Sequence, residues 1–318
     1  MTVLTNTDRP ANEAKSTVGR ADVTALVCDL TTAFVHGTLD LKDRQGAPIP
    51  GWNALPEYMA ANALFTAGAS NAQVRAFLTY VAALDRAREA NQLWRDAARL
   101  VDSAPWVIDA RQVASRSLFE LRDCLAEYGV SRRHTSDTAA WRLIAESLIN
   151  PYSPESVRTA IERGTGHART LLADVRSLAP SNQSWFPFLA GPKVSAMWVR
   201  MLIAPGGAVI TGTDAIPVAV DVQVRKVSEF LRITNSKAMS LDEARPVIQA
   251  AWRSGAAAAA GPSGLEGTAA AIDAAVWFFG KWGCTHCQDV GHRRPVHAIC
   301  EGCRFEKRGT EVEESDEQ

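Results

Sequence analysis

No run of apolar residues in this 318-residue chain approaches the about 20 that a membrane-spanning helix requires. The first twenty positions carry Thr, Asn, Asp, Pro and Lys with no apolar centre, so a disordered tail is expected there, with neither a secretory leader nor a membrane anchor. A cytoplasmic protein is the expectation. Charge of one sign is lacking too: the net charge is −1, and a nucleic-acid partner would have to be held by a local basic surface. Cysteine is scarce before the C-terminal region. Cys28 and Cys124 stand alone in helical patterns and read as small buried hydrophobes, which leaves no disulfide framework. Nor does the sequence repeat at any period of about 20–50 residues, which argues against an α-solenoid.

What the chain has is the balance of a folded protein, 47% hydrophobic and 22% charged residues, enough for one domain of two lobes with a small appendage. From 21 to 280 apolar residues recur every three or four positions, as in Val23, Leu26, Val27, Leu30 and Phe34, and again in Val74, Phe77, Leu78, Val81 and Leu84. Similar patterns over 93–101, 118–125, 141–148, 157–178, 241–253 and 265–279 predict an all-α fold. Asp137 and Ser153-Pro154 read as N-terminal signals of two of these helices. Val209-Ile210-Thr211 and the run from Ile216 to Val220 are β-prone but lie among glycines and a proline, predicting an extended loop with at most short strands. The small-residue stretch 255–264 reads as a linker or surface loop, and 309–318 as a disordered acidic tail.

Two polar residues stand out at helix starts. Leu189-Ala190-Gly191-Pro192-Lys193 precedes Val194, Met197, Trp198, Met201 and Leu202, one face of a helix, so Lys193 falls in the first turn after a Gly-Pro entry. A helix N-terminus carries roughly +0.5 of a charge and disfavours a second positive charge beside it, which favours the free amine, a nucleophile. Ile216-Pro217-Val218-Ala219-Val220-Asp221 then leads into Val224, Val227, Phe230 and Leu231, making Asp221 the N-cap of a second helix, where backbone N–H groups favour the carboxylate.

At these residues the chain resembles the helix-hairpin-helix (HhH-GPD) DNA glycosylase superfamily, in which a turn leads to a catalytic lysine and a Val-Asp heading the next helix supplies an aspartate. It is most similar to the archaeal 8-oxoguanine DNA glycosylase branch, where a longer loop separates the two residues. The resemblance covers 186–234, with weaker echoes at 77–81 and Leu93-Trp94. It departs from the superfamily in lacking Gly-x-Gly before the lysine: only Gly191 precedes Pro192, which has no N–H to offer a phosphate. The resemblance implies a monomer that acts in the nucleoid on double-stranded DNA. The enzyme flips a damaged or modified base out of the stack, attacks C1′ with Lys193 and forms a Schiff base that supports AP lyase cleavage, with Asp221 taking the lysine proton or stabilising the charged sugar. Oxidised guanine, or a hypermodified base such as those of some viral genomes, is the implied substrate. Gly191, Trp277, Trp282, Arg293 and Arg294 are candidate contacts to DNA or the flipped base, since aromatic faces stack on bases and arginines hold phosphates. The alternative is a non-catalytic DNA-binding or regulatory protein on the same helical scaffold.

Cys284-x2-Cys287 and Cys300-x2-Cys303 form two knuckles, each presenting two thiolates to one metal, and predict a structural four-cysteine zinc element over 281–308. That segment is also basic, with Lys281, Arg293, Arg294, Arg304, Lys307 and Arg308 outnumbering Asp289, Glu301 and Glu306.

Overall fold

The computed structural model describes residues 20–39, 51–86 and 88–284. Among these the backbone is dominated by helix. Helix α1 (Arg20–Val35) comes first, and α2 (Pro56–Thr66), α3 (Asn71–Leu84), α4 (Ala90–Ser103), α5 (Ala110–Ser115), α6 (Leu118–Glu127), α7 (His134–Ile149) and α8 (Glu155–Glu162) then follow one another through short connections. Strand β1 (Thr165–His167) then precedes α9 (Ala168–Asp174) and α10 (Pro192–Ile203), and β2 (Val209–Thr211) leads to α11 (Val222–Phe230), α12 (Leu241–Arg253) and α13 (Ala269–Phe278). A π-helical turn, Phe279–Cys284, closes the described chain. No helix among the described residues is long and apolar enough to cross a membrane.

Two helices are apolar on every side and take the centre. In α3 every residue from Val74 to Leu84 is buried, and in α10 every residue from Val194 to Ile203. A helix without a polar face has to be surrounded. The capping box of Ser70 and Gln73 starts α3, and Trp198 donates to Thr79 Oγ1 at 3.0 Å, fixing α10 against it. Around α3 pack α2, α7 and α8, while α1, α11, α12 and α13 pack on one another. The second helix at the centre, α10, touches both α3 and α13 and joins the two groups, and one continuous apolar core runs through them.

Several expectations change. The pattern over 157–178 is not one helix: α8 stops at Glu162, Gly164 takes φ +69°, and β1 pairs in parallel with β2, Gly166 opposite Ile210. Buried Arg75 holds that break, donating to the carbonyls of Ile161 (2.8 Å), Glu162 (3.1 Å) and Gly206 (3.0 Å). Asp137 is not an N-cap but lies within the first turn of α7, where one carboxylate oxygen accepts from the amides of Arg132 and Arg133 and the other from Arg86. The stretch 255–264 is packed rather than a surface linker: Ala256 and Ala259 are buried, and Ala260 N–H donates to Thr31 Oγ1 of α1 at 2.9 Å. Thr268, as N-cap, delays the last helix to Ala269. Cys28 lies on the exposed face of α1, and Cys124 is half-buried. Neither is a core residue.

Candidate active site

The two residues singled out at helix starts meet. Gly191 is the N-cap of α10 in extended conformation, Pro192 occupies N1, and the Ser195 amide returns to the Gly191 carbonyl at 2.8 Å, so Lys193 leaves the first turn with its side chain a third exposed. Ahead of α11 the apolar side chains of Ile216, Val218 and Val220 are buried, pinning an extended segment that ends in Asp221. Asp221 Oδ1 accepts from the amides of Gln223 (2.8 Å) and Val224 (3.1 Å). Its other oxygen lies 3.6 Å from Lys193 Nζ. One carboxylate thus caps a helix and faces an amine, and the positive ends of two helix dipoles converge on the pair.

Both residues line a pocket of about 280 Å³, close to the lower end of the roughly 300–1,000 Å³ usual for small-ligand sites. Its walls come from α2, the end of α3, the start of α4, α10, α11 and α13. Trp94, Met197 and Trp277 give it apolar and aromatic surface.

The pocket holds more charge than the sequence reading anticipated. Arg200, on the same helix as Lys193, is buried, donates to Glu57 Oε1 at 2.7 Å and sets its Nε 3.3 Å from Asp273 Oδ2. Burial opposes the Arg200 charge, but the Glu57 and Asp273 carboxylates outweigh it and hold the guanidinium above its usual value. Burial pushes the Asp273 carboxyl up to about 6 against the pull of Arg200. The other Asp273 oxygen accepts from the Ala219 amide at 3.0 Å and so positions the segment that carries Asp221. Arg200 Nη1, Trp52 Nε1 and the Tyr58 hydroxyl are buried with no hydrogen-bond partner among the described residues. Asp85, directly after α3, also lines the pocket. Burial raises its carboxyl above the usual range, opposed by the positive charge of Lys193.

At the edge, Lys281 donates to Glu89 Oε1 at 3.0 Å, and its Nζ lies 4.8 Å from the Trp277 ring centre and 4.9 Å from that of Trp282. Burial works against the Glu89 charge, but the bonds from Lys281 and the Gln92 amide hold this carboxyl below its usual value.

Of the other sequence candidates, Trp277 lines the pocket, whereas Trp282 packs against the core outside it and Gly191 serves as a helix cap. The neighbouring aromatics do not enter the pocket: Phe186, Phe278 and Phe279 are core residues, and Phe188 lies under the Arg86 guanidinium at 3.3 Å. Arg293, Arg294, Cys287, Cys300, Cys303 and the Cys284 side chain, and with them the zinc expectation, lie outside the described residues. Glu57, Asp85, Arg200 and Asp273 were missed. Two had a signal: a charge set within a run of apolar helical residues, as at Arg200 and Asp273, has to find a buried partner.

Comparison of the chain with protein-family models, curated proteins and solved structures finds no match.

Proposed function

We propose that the pocket is the active site of a DNA glycosylase with AP lyase activity, in which Lys193 attacks C1′ of an extruded nucleotide. The supporting observation is the amine–carboxylate pair, 3.6 Å apart at two helix N-termini beside a pocket with aromatic walls. A pure binding surface has no use for a lysine held against an N-capping aspartate. In this reading Asp221 takes the lysine proton, Trp277 stacks on the base, and the adduct at C1′ opens to a Schiff base that β-eliminates the 3′ phosphate. The helix-hairpin-helix scaffold belongs to the same proposal, as does zinc held by Cys284, Cys287, Cys300 and Cys303, which rests on the spacing of the four thiolates.

The test is borohydride trapping on two kinds of duplex. One carries a preformed abasic aldehyde; the others carry 8-oxoguanine, hypoxanthine, uracil or 5-hydroxymethyluracil. Wild type is expected to be trapped on the abasic duplex and Lys193→Gln not. Equal trapping by both proteins overturns the lysine assignment, and no trapping by wild type supports a non-catalytic binder instead.

A further inference from the structure

Five carboxylates line the pocket, and four are already engaged. Glu57 and Asp273 flank Arg200, Asp221 accepts two amides and faces Lys193, and Glu89 accepts from Gln92 and Lys281. Asp85 differs. It follows the last turn of α3, where its own amide returns to the Ala82 carbonyl at 3.2 Å, and its carboxyl accepts no hydrogen bond and joins no ion pair among the described residues. A half-buried carboxyl that lines a pocket without a partner keeps its proton more readily than one that is paired.

We propose that Asp85 is the general acid of this site, giving its proton to a ring nitrogen of the departing base. The inference rests on the glycosylase reading and supplies what that reading leaves open, namely how a poor leaving group is made a better one. The groups facing Asp85 are Lys193 and Arg88, whose positive charges favour the carboxylate, and Glu57 and Asp221, whose negative charges favour the acid; burial acts in the same direction as the second pair and outweighs the first. Two carboxyls in one pocket, one accepting from two backbone amides and one without a partner among the described residues, are fitted to opposite tasks.

The step balances. The Lys193 lone pair forms the C1′–N bond as the glycosidic bond breaks, and that bonding pair leaves on the base nitrogen. The Asp85 proton neutralises it there, while the proton released by the lysine passes to Asp221. Asp85 ends as the carboxylate and Asp221 as the acid, and the base departs neutral.

The experiment uses the full chain and the five duplexes named above, in single turnover from pH 6 to 9. Asp85→Asn is expected to release base about 100-fold more slowly than wild type at pH 6. That gap should narrow as pH rises, because wild-type Asp85 loses its proton. Trapping on the abasic duplex, which holds no base to protonate, should stay within about threefold of wild type. Asp85→Glu, which keeps an acid, should recover part of the rate and the decline toward high pH. Base release unchanged in Asp85→Asn overturns the proposal, and so does an equal loss in both reactions or a gap that does not vary with pH. A wild type that is trapped on the abasic duplex yet releases none of the four bases also overturns it, and leaves the lysine assignment standing. A wild type trapped on nothing overturns the underlying reading instead. An Asp85→Asn chain that fails to fold moves the decision to Asp85→Glu, whose decline toward high pH has to be present.

Discussion

Arg200 and Glu57 stand 143 residues apart in the sequence and 2.7 Å apart in the interior. Taking both charges out of water is costly, and removing one partner is costlier because the other remains uncompensated. Arg200→Met, which leaves Glu57 and Asp273 without a counter-charge, should lower stability by about 3–5 kcal/mol. Urea titration followed by circular dichroism reads it, and an unchanged midpoint would contradict the pairing.

Asp273 gives stability a pH dependence of defined sign. Its folded-state value, about 6 against an ordinary 3.8, means that the folded protein binds more protons than the unfolded chain between those limits. This carboxyl's contribution to stability is therefore fully present below the unfolded value and is lost as pH climbs through the folded one, by up to about 3 kcal/mol. Asp273→Asn, which keeps an acceptor for the Ala219 amide, should remove that component. Measured at pH 4.5, 5.5 and 7, the variant should gain on wild type as pH rises; a constant difference would show that Asp273 titrates normally.

Asp221 has two duties that substitution separates. Asn caps helices nearly as well as Asp, so Asp221→Asn should cost less than about 0.5 kcal/mol of stability, whereas Asp221→Ala should cost about 1 kcal/mol. Both should lower borohydride trapping about 100-fold or more, through loss of the base that faces Lys193. Trapping that survives in the Asn variant would reduce Asp221 to a helix cap.

Gly164 lies in the left-handed region, and a Cβ there would stand 2.9 Å from the Arg75 guanidinium carbon. Gly164→Ala should cost about 1–3 kcal/mol, from backbone strain and from displacing a guanidinium that holds three carbonyls. Thermal unfolding would show it, and a shift under 1 °C would rule it out.

What could be read in the sequence was local. Gly-Pro before Lys193 and the Ile-Pro-Val-Ala-Val run before Asp221 mark helix entries by their own chemistry, and apolar periodicity placed the helices. Contacts between distant segments could not be read. Periodicity ran unbroken across Gly164 because the break depends on Arg75 and on pairing with residues 209–211. Small residues in 255–264 imitate a linker, yet their smallness permits contact: a Cβ on Gly255 would come within 2.9 Å of the Val23 carbonyl oxygen. Cys28 was misplaced because the buried side of α1 is set by α12 and α13, far along the chain. Asp85 carries no sequence signal, since its character comes from what surrounds it.

The bond between Ala260 and Thr31 spans 229 residues. A ribosome delivers α1 more than 200 residues ahead of its covering helices α12 and α13, so throughout that interval Phe34 lacks its native neighbour Phe278. Until those late helices emerge, the nascent chain carries a bare greasy ridge, a target for chaperones and a seed for clumping when synthesis stalls.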